Sequence, residues 1–267
     1  MPKKSLPISV MVAGCNEARF LKQCLESVSF CDEIIYIDLE SADNSMEIAS
    51  NYANKILQKE KKGYPSGEYV HAEIVNETSH NWVIFIDPDE RIDAALTSKL
   101  REIFPVLQSS GSIGAVLVPW VFYFKNRQLR GTVWGGNNKK FLLVNKQRFD
   151  FLPITHYGRK LKEGFDCLEI DESAMGGVLH HYWTTSIRKF LDKHQRYLKK
   201  EGIDQYNAGL RVSAKSLLTI PFQEFKRSFV TSKGYRDGVV GLTLSIFWAY
   251  YKTYSAIDLF LIQRRSN

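Results

Sequence analysis

Nothing in this chain of 267 residues is long and apolar enough to read as a membrane span. A spanning helix needs about 20 consecutive apolar residues, and the most apolar segment, Gly238 to Ile262, is broken by Lys252 and Asp258. Cysteine is scarce. Cys15, Cys24, Cys31 and Cys167 show no metal-ligand spacing, and two of them occupy apolar positions of strand or helix patterns. Buried free thiols in a reducing cytoplasm are the simplest reading. The segment from Met1 to Pro7 runs into the first strand with no apolar signal stretch, which leads to the same expectation of a cytoplasmic protein. Internal repeats and low-complexity stretches are absent as well. Acidic residues are scarce in one region only: residues 182–267 carry 15 Lys and Arg against 6 Asp and Glu, whereas the remainder carries 21 against 23. The overall net charge of +7 therefore belongs to the tail, which excludes a nucleic-acid-binding reading of the whole chain.

The most informative segment present is Trp82-Val83-Ile84-Phe85-Ile86-Asp87-Pro88-Asp89-Glu90. Its β-branched and aromatic run reads as a buried strand that ends at two carboxylates spaced i, i+2. Pro88 cannot donate to a sheet ladder, so the strand stops there and both acids belong at its C-terminal tip. In an open parallel sheet that edge is where ligands bind. Hard carboxylate oxygens on one loop suit Mg²⁺ or Mn²⁺, and such an ion suits a nucleotide diphosphate. An acidic turn that opens a helix is the other reading of the same residues.

Two similar units precede it. Ile8 to Ala13 forms a short apolar strand that ends at Gly14-Cys15-Asn16-Glu17. A helix follows with Phe20, Leu21, Cys24, Leu25 and Val28 on one face, and Asn16 is placed to cap it. Glu33 to Asp38 repeats the acid-tipped strand, and a loop through Asp43 leads into a second helix over Met46 to Ala53. Strand, helix, strand, helix and a third acid-tipped strand describe a doubly wound α/β nucleotide-binding half.

Asn16-Glu17, the Asp38 to Asp43 loop and Asp87-Pro88-Asp89-Glu90, in this order, resemble the inverting glycosyltransferases of family 2, with a GT-A fold. Downstream, Trp134-Gly135-Gly136, Phe141-Leu142-Leu143 and Val178-Leu179-His180-His181-Tyr182 are similar to the acceptor half of the lipopolysaccharide-core and cell-surface-polysaccharide branch. The resemblance implies a donor side built from Asn16, Glu17, Asp38, Asp43 and Asp87. Asp38 would meet the base, Glu17 would help hold the uridine, and Asp87 would reach the ribose or the metal. Asp89 would ligate a Mg²⁺ or Mn²⁺ ion bridging the diphosphate. Three positions depart from the family pattern: Glu40 stands where a glycine is usual, His71-Ala72 replaces Arg-Asn, and His156-Tyr157 replaces His-Glu. The last change removes the expected general base, so a nearby acid is expected in its place: Glu163 first, then Asp166, then Asp150.

These readings yield a GT-A domain over residues 1–185, with its donor half to about residue 110 and its acceptor half beyond. A basic, aromatic helical region over residues 186–267 follows. In the acceptor half, Trp134 is expected to offer a sugar-stacking face and His156 to contact the acceptor. One of His180 and His181 is expected to face the site, because neighbours on a strand point to opposite faces. The tail is expected to lie on the inner face of the membrane, with core packing as its other reading. The functional expectation is metal-dependent, inverting transfer from a nucleotide-sugar, UDP-linked, to a surface glycan or glycolipid, in lipopolysaccharide biosynthesis. The alternative is a catalytically silent, membrane-associated nucleotide- or glycan-binding protein of the same fold. No nucleic-acid partner is expected, and a homo-oligomer is compatible with the sequence.

Overall fold

The computed structural model describes residues 5–64, 67–154, 158–171, 177–184 and 186–266. In chain order the elements are β1 (Leu6–Gly14), α1 (Ala18–Ser27), β2 (Cys31–Asp38), α2 (Ser45–Ser50), β3 (Lys55–Gln58), α3 (Gly67–Ile74), β4 (Trp82–Phe85), β5 (Glu90–Ile92), α4 (Ala94–Ser109) and β6 (Ile113–Phe124). There follow β7 (Arg127–Gln128), α5 (Thr132–Gly135), β8 (Lys139–Asn145), β9 (Phe149–Phe151), β10 (Arg159–Leu161), β11 (Asp166–Glu169) and β12 (Leu179–Thr184). Three helices complete the chain: α6 (Ile187–Asn207), α7 (Ala214–Lys226) and α8 (Gly238–Ser266).

Two compact units result. The first comprises the chain to Trp120, Lys139–Pro153 and Gly158–His181. Here β3, β2, β1 and β4 lie side by side and parallel. β8 pairs antiparallel with β4, and β6 with β8. Alternate residues of the central strands enter opposite cores: Val10, Val12 and Ile84 pack with Leu21, Leu25, Leu100 and Phe104, whereas Met11, Val83 and Phe85 pack with Val70 and Ile74. Burial on both faces is the reason these strands read as continuous apolar runs rather than alternating ones. This is the doubly wound α/β half, continued by antiparallel strands, that the GT-A expectation requires. The second helix is shorter than expected, and the helical region expected from residue 186 opens with α6, Ile187–Asn207.

The second unit comprises Val121–Asn138 and the chain from Tyr182 onward, so a segment expected in the acceptor half belongs with the C-terminal helices. Lys125 and Asn126 both adopt positive φ and turn β6 tightly into β7. Trp134, Trp183, Phe190, His194, Phe247 and Trp248 form an aromatic core. Buried Glu201 receives hydrogen bonds from Tyr251, Lys252 and Gln205. Among the described residues, no helix is long and apolar enough to cross a membrane.

His71 of α3 is buried against Phe85, their rings 4.4 Å apart, and its Nδ1 has no hydrogen-bond partner among the described residues. Burial, followed by the charge of Arg159, holds its pKa well below the ordinary histidine value. The folded state therefore binds fewer protons here than the unfolded chain, and stability falls as pH drops below about 6.5. Urea denaturation between neutral pH and pH 5 is expected to show this loss, with a limiting slope of about 1.4 kcal/mol per pH unit. In His71→Phe that part of the slope should vanish.

Candidate active site

The strand tips gather along one edge of the first unit. A Cβ at Gly14 would lie 2.8 Å from the Pro88 ring, so the ends of β1 and β4 touch. Asp38 ends β2 almost fully buried and accepts from the Ser41 amide at 3.0 Å. Asn16, at a φ of 58°, does not cap α1; its Oδ1 accepts from the Ala42 amide at 2.7 Å. Asp43 caps α1 instead, from the neighbouring loop, accepting from the Ala18 amide at 3.1 Å. Its other oxygen takes the Ser45 amide. Asn16 and Asp43 thus stitch the two donor-side loops together, and Ser45 Oγ accepts from the Glu17 amide at 2.9 Å. Glu40 occupies the left-handed region with a φ of 59°, where a glycine is free of strain, and its carboxylate accepts from the Lys61 amide.

After Phe85 the chain makes a tight turn. The Asp87 amide donates to Glu90 Oε2 at 2.8 Å, and the Glu90 amide donates to the Asp87 carbonyl at 2.9 Å. This turn starts β5, which pairs antiparallel with β12 so that His181 lies opposite Glu90 and His180 opposite Arg91. Strand alternation then sends the two histidines apart. His180 Nε2 is 3.9 Å from Asp93, whereas His181 Nε2 is 3.4 Å from Asp89 Oδ1. Lys140 of β8 reaches Glu90 Oε2 at 2.5 Å and Asp87 Oδ2 at 3.7 Å. Trp120 stacks parallel on His181, ring centroids 5.1 Å apart, and Lys140 Nζ is 5.2 Å from the Trp120 ring centre.

Glu90 is completely buried, and burial raises its pKa while the positive charge of Lys140 opposes the rise. Its Oε1 has no hydrogen-bond partner among the described residues. One ligand atom each from Asp87, Glu90 and His181 lies within 4.8 Å of the others. With Asp89 beside His181, three carboxyl groups face one ammonium and one imidazole, so the cluster fits a divalent cation. Carboxylate oxygens with one imidazole suit Mn²⁺ and admit Mg²⁺.

Asp87 and Asp89, which the sequence placed at this strand end, lie here beside His181, Glu90 and Lys140. The sequence left open which histidine would face them and gave no role to Glu90 or Lys140. The three acids considered as bases are not brought here. Lys162 and Phe165 pack around Arg148, and the Asp166 amide donates to the Ser112 carbonyl, with Asp166 in register with Ile113. Glu163 and Asp166 therefore lie at the start of β6, seven residues from Trp120, or roughly 23 Å at the usual strand rise. The β9–β10 hairpin causes this by carrying the chain back to the far end of the sheet. Asp150, exposed between inward-facing Phe149 and Phe151, lies 3.9 Å from Lys162. Trp134 is also not a sugar platform: it is buried in the aromatic core of the second unit. His156 and Tyr157 lie outside the described residues.

The glycosyl transferase family 2 profile matches residues 9–161, more than half of the chain and all of the acid-tipped strands. The chain belongs to glycosyl transferase family 2. This family 2 glycosyltransferase is similar over 96% of its length to the lipopolysaccharide core biosynthesis glycosyltransferase LpsC of Rhizobium meliloti (strain 1021), at 24% identity and covering 92% of that protein. An uncharacterized glycosyltransferase of Rickettsia typhi is 24% identical over 91% of this chain and 83% of its own. Among solved structures, glucosyl-3-phosphoglycerate synthase from Mycobacterium tuberculosis, in complex with Mn²⁺, UDP and glucosyl-3-phosphoglycerate, aligns over 79% of this chain and 82% of that one. The alignment has 16% identity and a TM-score of 0.49.

The buried ion pair of this glycosyltransferase gives a stability test. Lys140→Met removes the partner of a fully buried carboxylate and should cost about 3–5 kcal/mol. Lys140→Met combined with Glu90→Gln should recover much of that loss. Urea denaturation of the two variants and the parent checks both outcomes.

Proposed function

We propose that the chain transfers a sugar, with inversion, from a UDP-linked nucleotide-sugar to a glycan or glycolipid of the bacterial cell surface, using Mg²⁺ or Mn²⁺. The observation that carries this reading is the cluster of half-buried Asp87 with buried Glu90 and His181, with an open Glu90 oxygen and a surplus of negative charge. Asp87, Asp89, Glu90 and His181 would hold the ion, which when bound offsets the charge of a departing nucleoside diphosphate. Lys140 holds Asp87 and Glu90 in place, and Trp120 fixes the plane of the His181 ring. Asp38 is assigned to the base and Glu17 to the uridine. A lipopolysaccharide-core acceptor is supported by similarity to LpsC along nearly the whole of both chains.

Two sets of variants test the site. Asp89→Asn and His181→Gln should abolish metal-dependent UDP binding, measured by calorimetry, while Asp38→Asn should weaken UDP even in EDTA. Equal UDP affinity in parent and variants, with and without EDTA, would sink the metal assignment. Glu163→Gln and Asp166→Asn should retain transfer, rather than lose the roughly 10²-fold or more that removal of a positioned base costs.

The same reading places the C-terminal helices on an anionic membrane surface. Val239, Leu242, Ile246, Tyr250, Ile257 and Leu261 of α8 recur at three- to seven-residue intervals and are exposed, and exposed Arg264 and Arg265 follow them. Such a stripe with basic flanks suits interfacial binding. Cosedimentation with phosphatidylglycerol vesicles should decrease in high salt, because each basic residue near the surface contributes about 1 kcal/mol. Ile246→Asp with Tyr250→Asp should weaken it further.

A further inference from the structure

We infer that the second unit holds a pocket for the phosphate group of a phosphorylated sugar. The pocket encloses about 360 Å³ and is lined by Arg130, Arg227, Lys233 and Arg236, together with Asn137 and Asn138. Among the described residues, no acidic side chain lines it. Arg227 lies 3.5 Å from Glu224, but among the described residues the side chains of Arg130, Lys233 and Arg236 form no ion pair. Four cations around one concavity raise the local potential and attract a multiply charged anion. Glu201, Asp204 and Asp237 of the same unit are each almost inaccessible.

The backbone segments that carry Arg130, Lys233 and Arg236 are held together. Asp237 accepts from the Arg130 amide at 2.9 Å and from the Gly131 amide at 2.8 Å, which ties the loop bearing Arg130 to the turn bearing Lys233 and Arg236. A Cβ at Gly131 would lie 2.1 Å from the Lys233 carbonyl oxygen, so the two backbones are in contact. Thr132 and Lys233, both lining the pocket, adopt φ values of 67° and 57°, a conformation that costs non-glycine residues energy. Guanidinium groups match phosphate oxygens two at a time, whereas the amides of Asn137 and Asn138 suit hydroxyl groups. The volume exceeds what a bare phosphate fills and is within the range of small-ligand clefts. A sugar bearing a phosphomonoester fits this combination. Assigning that sugar phosphate to the acceptor rests on the transferase reading; the binding itself does not.

The test is calorimetric titration of the full-length protein with a hexose 6-phosphate, inorganic phosphate and the unphosphorylated hexose. The variants are Arg130→Gln/Arg236→Gln in the pocket and Lys199→Gln/Lys200→Gln on the exposed face of α6, with thermal unfolding to verify their fold. Hexose phosphate should bind the parent more tightly than inorganic phosphate does, and the free hexose should not bind detectably. The pocket variant should weaken hexose phosphate by about tenfold or more, the scale of lost charge-assisted hydrogen bonds. The α6 variant should leave it unchanged. Absence of hexose phosphate binding in the parent, or equal weakening in the two variants, would overturn the pocket. Equal affinity for inorganic phosphate would overturn its sugar component. UDP binding with Mn²⁺ is measured in parallel: its failure in the parent counts against the transferase reading alone, and its retention in the pocket variant separates the two sites.

Discussion

A fully buried carboxylate at a strand end is costly unless a cation accompanies it, and Glu90 of this glycosyltransferase meets that constraint through Lys140. The pair is possible because three strands converge: β4 delivers the turn, β8 runs antiparallel to β4 and brings the lysine, and β12 pairs with β5 to set His181 opposite Glu90. Lys140 cannot balance Asp87 and Asp89 as well. The remaining negative charge, carried on the turn between β4 and β5, is what suits the tip to the divalent cation of the proposed function.

The second unit answers the opposite electrostatic demand. Two of its acids serve internal structure, Glu201 beneath Tyr251 and Lys252, and Asp237 on two backbone amides. Several of its basic side chains face outward, Arg130, Lys233 and Arg236 among them. One group of them is gathered by Asp237 into a pocket, and others flank the exposed apolar stripe of α8. A donor side rich in carboxylates and a basic pocket in the second unit are consistent with the proposed transfer to an anionic acceptor.

Much of the first unit was legible in the sequence, because local rules decide it. Apolar runs that stop at Asp38 and at Asp87-Pro88-Asp89 show where strands end, and Pro88 leaves no other choice. What was not legible depends on long-range register. Lys140 looks like one of two adjacent surface lysines until β8 is laid against β4. The choice between His180 and His181 is settled only by the pairing of β12 with β5. Glu163 and Asp166 are close in sequence to the expected base position, yet the β9–β10 hairpin takes them to the other end of the sheet. Trp134, flanked by glycines and asparagines, resembles an exposed platform, but the aromatic side chains that bury it come from β12, α6 and α8, 49 to 114 residues later.

The central claim is that Asp87, Glu90 and His181 form one metal centre. Electron paramagnetic resonance of Mn²⁺ bound to the protein with UDP tests it most directly, because nitrogen hyperfine coupling reports imidazole ligation. The expected result is a single imidazole coupling in the parent that disappears in His181→Gln. Mn²⁺ bound through oxygen ligands alone in the parent, or an imidazole coupling that survives in His181→Gln, would contradict it.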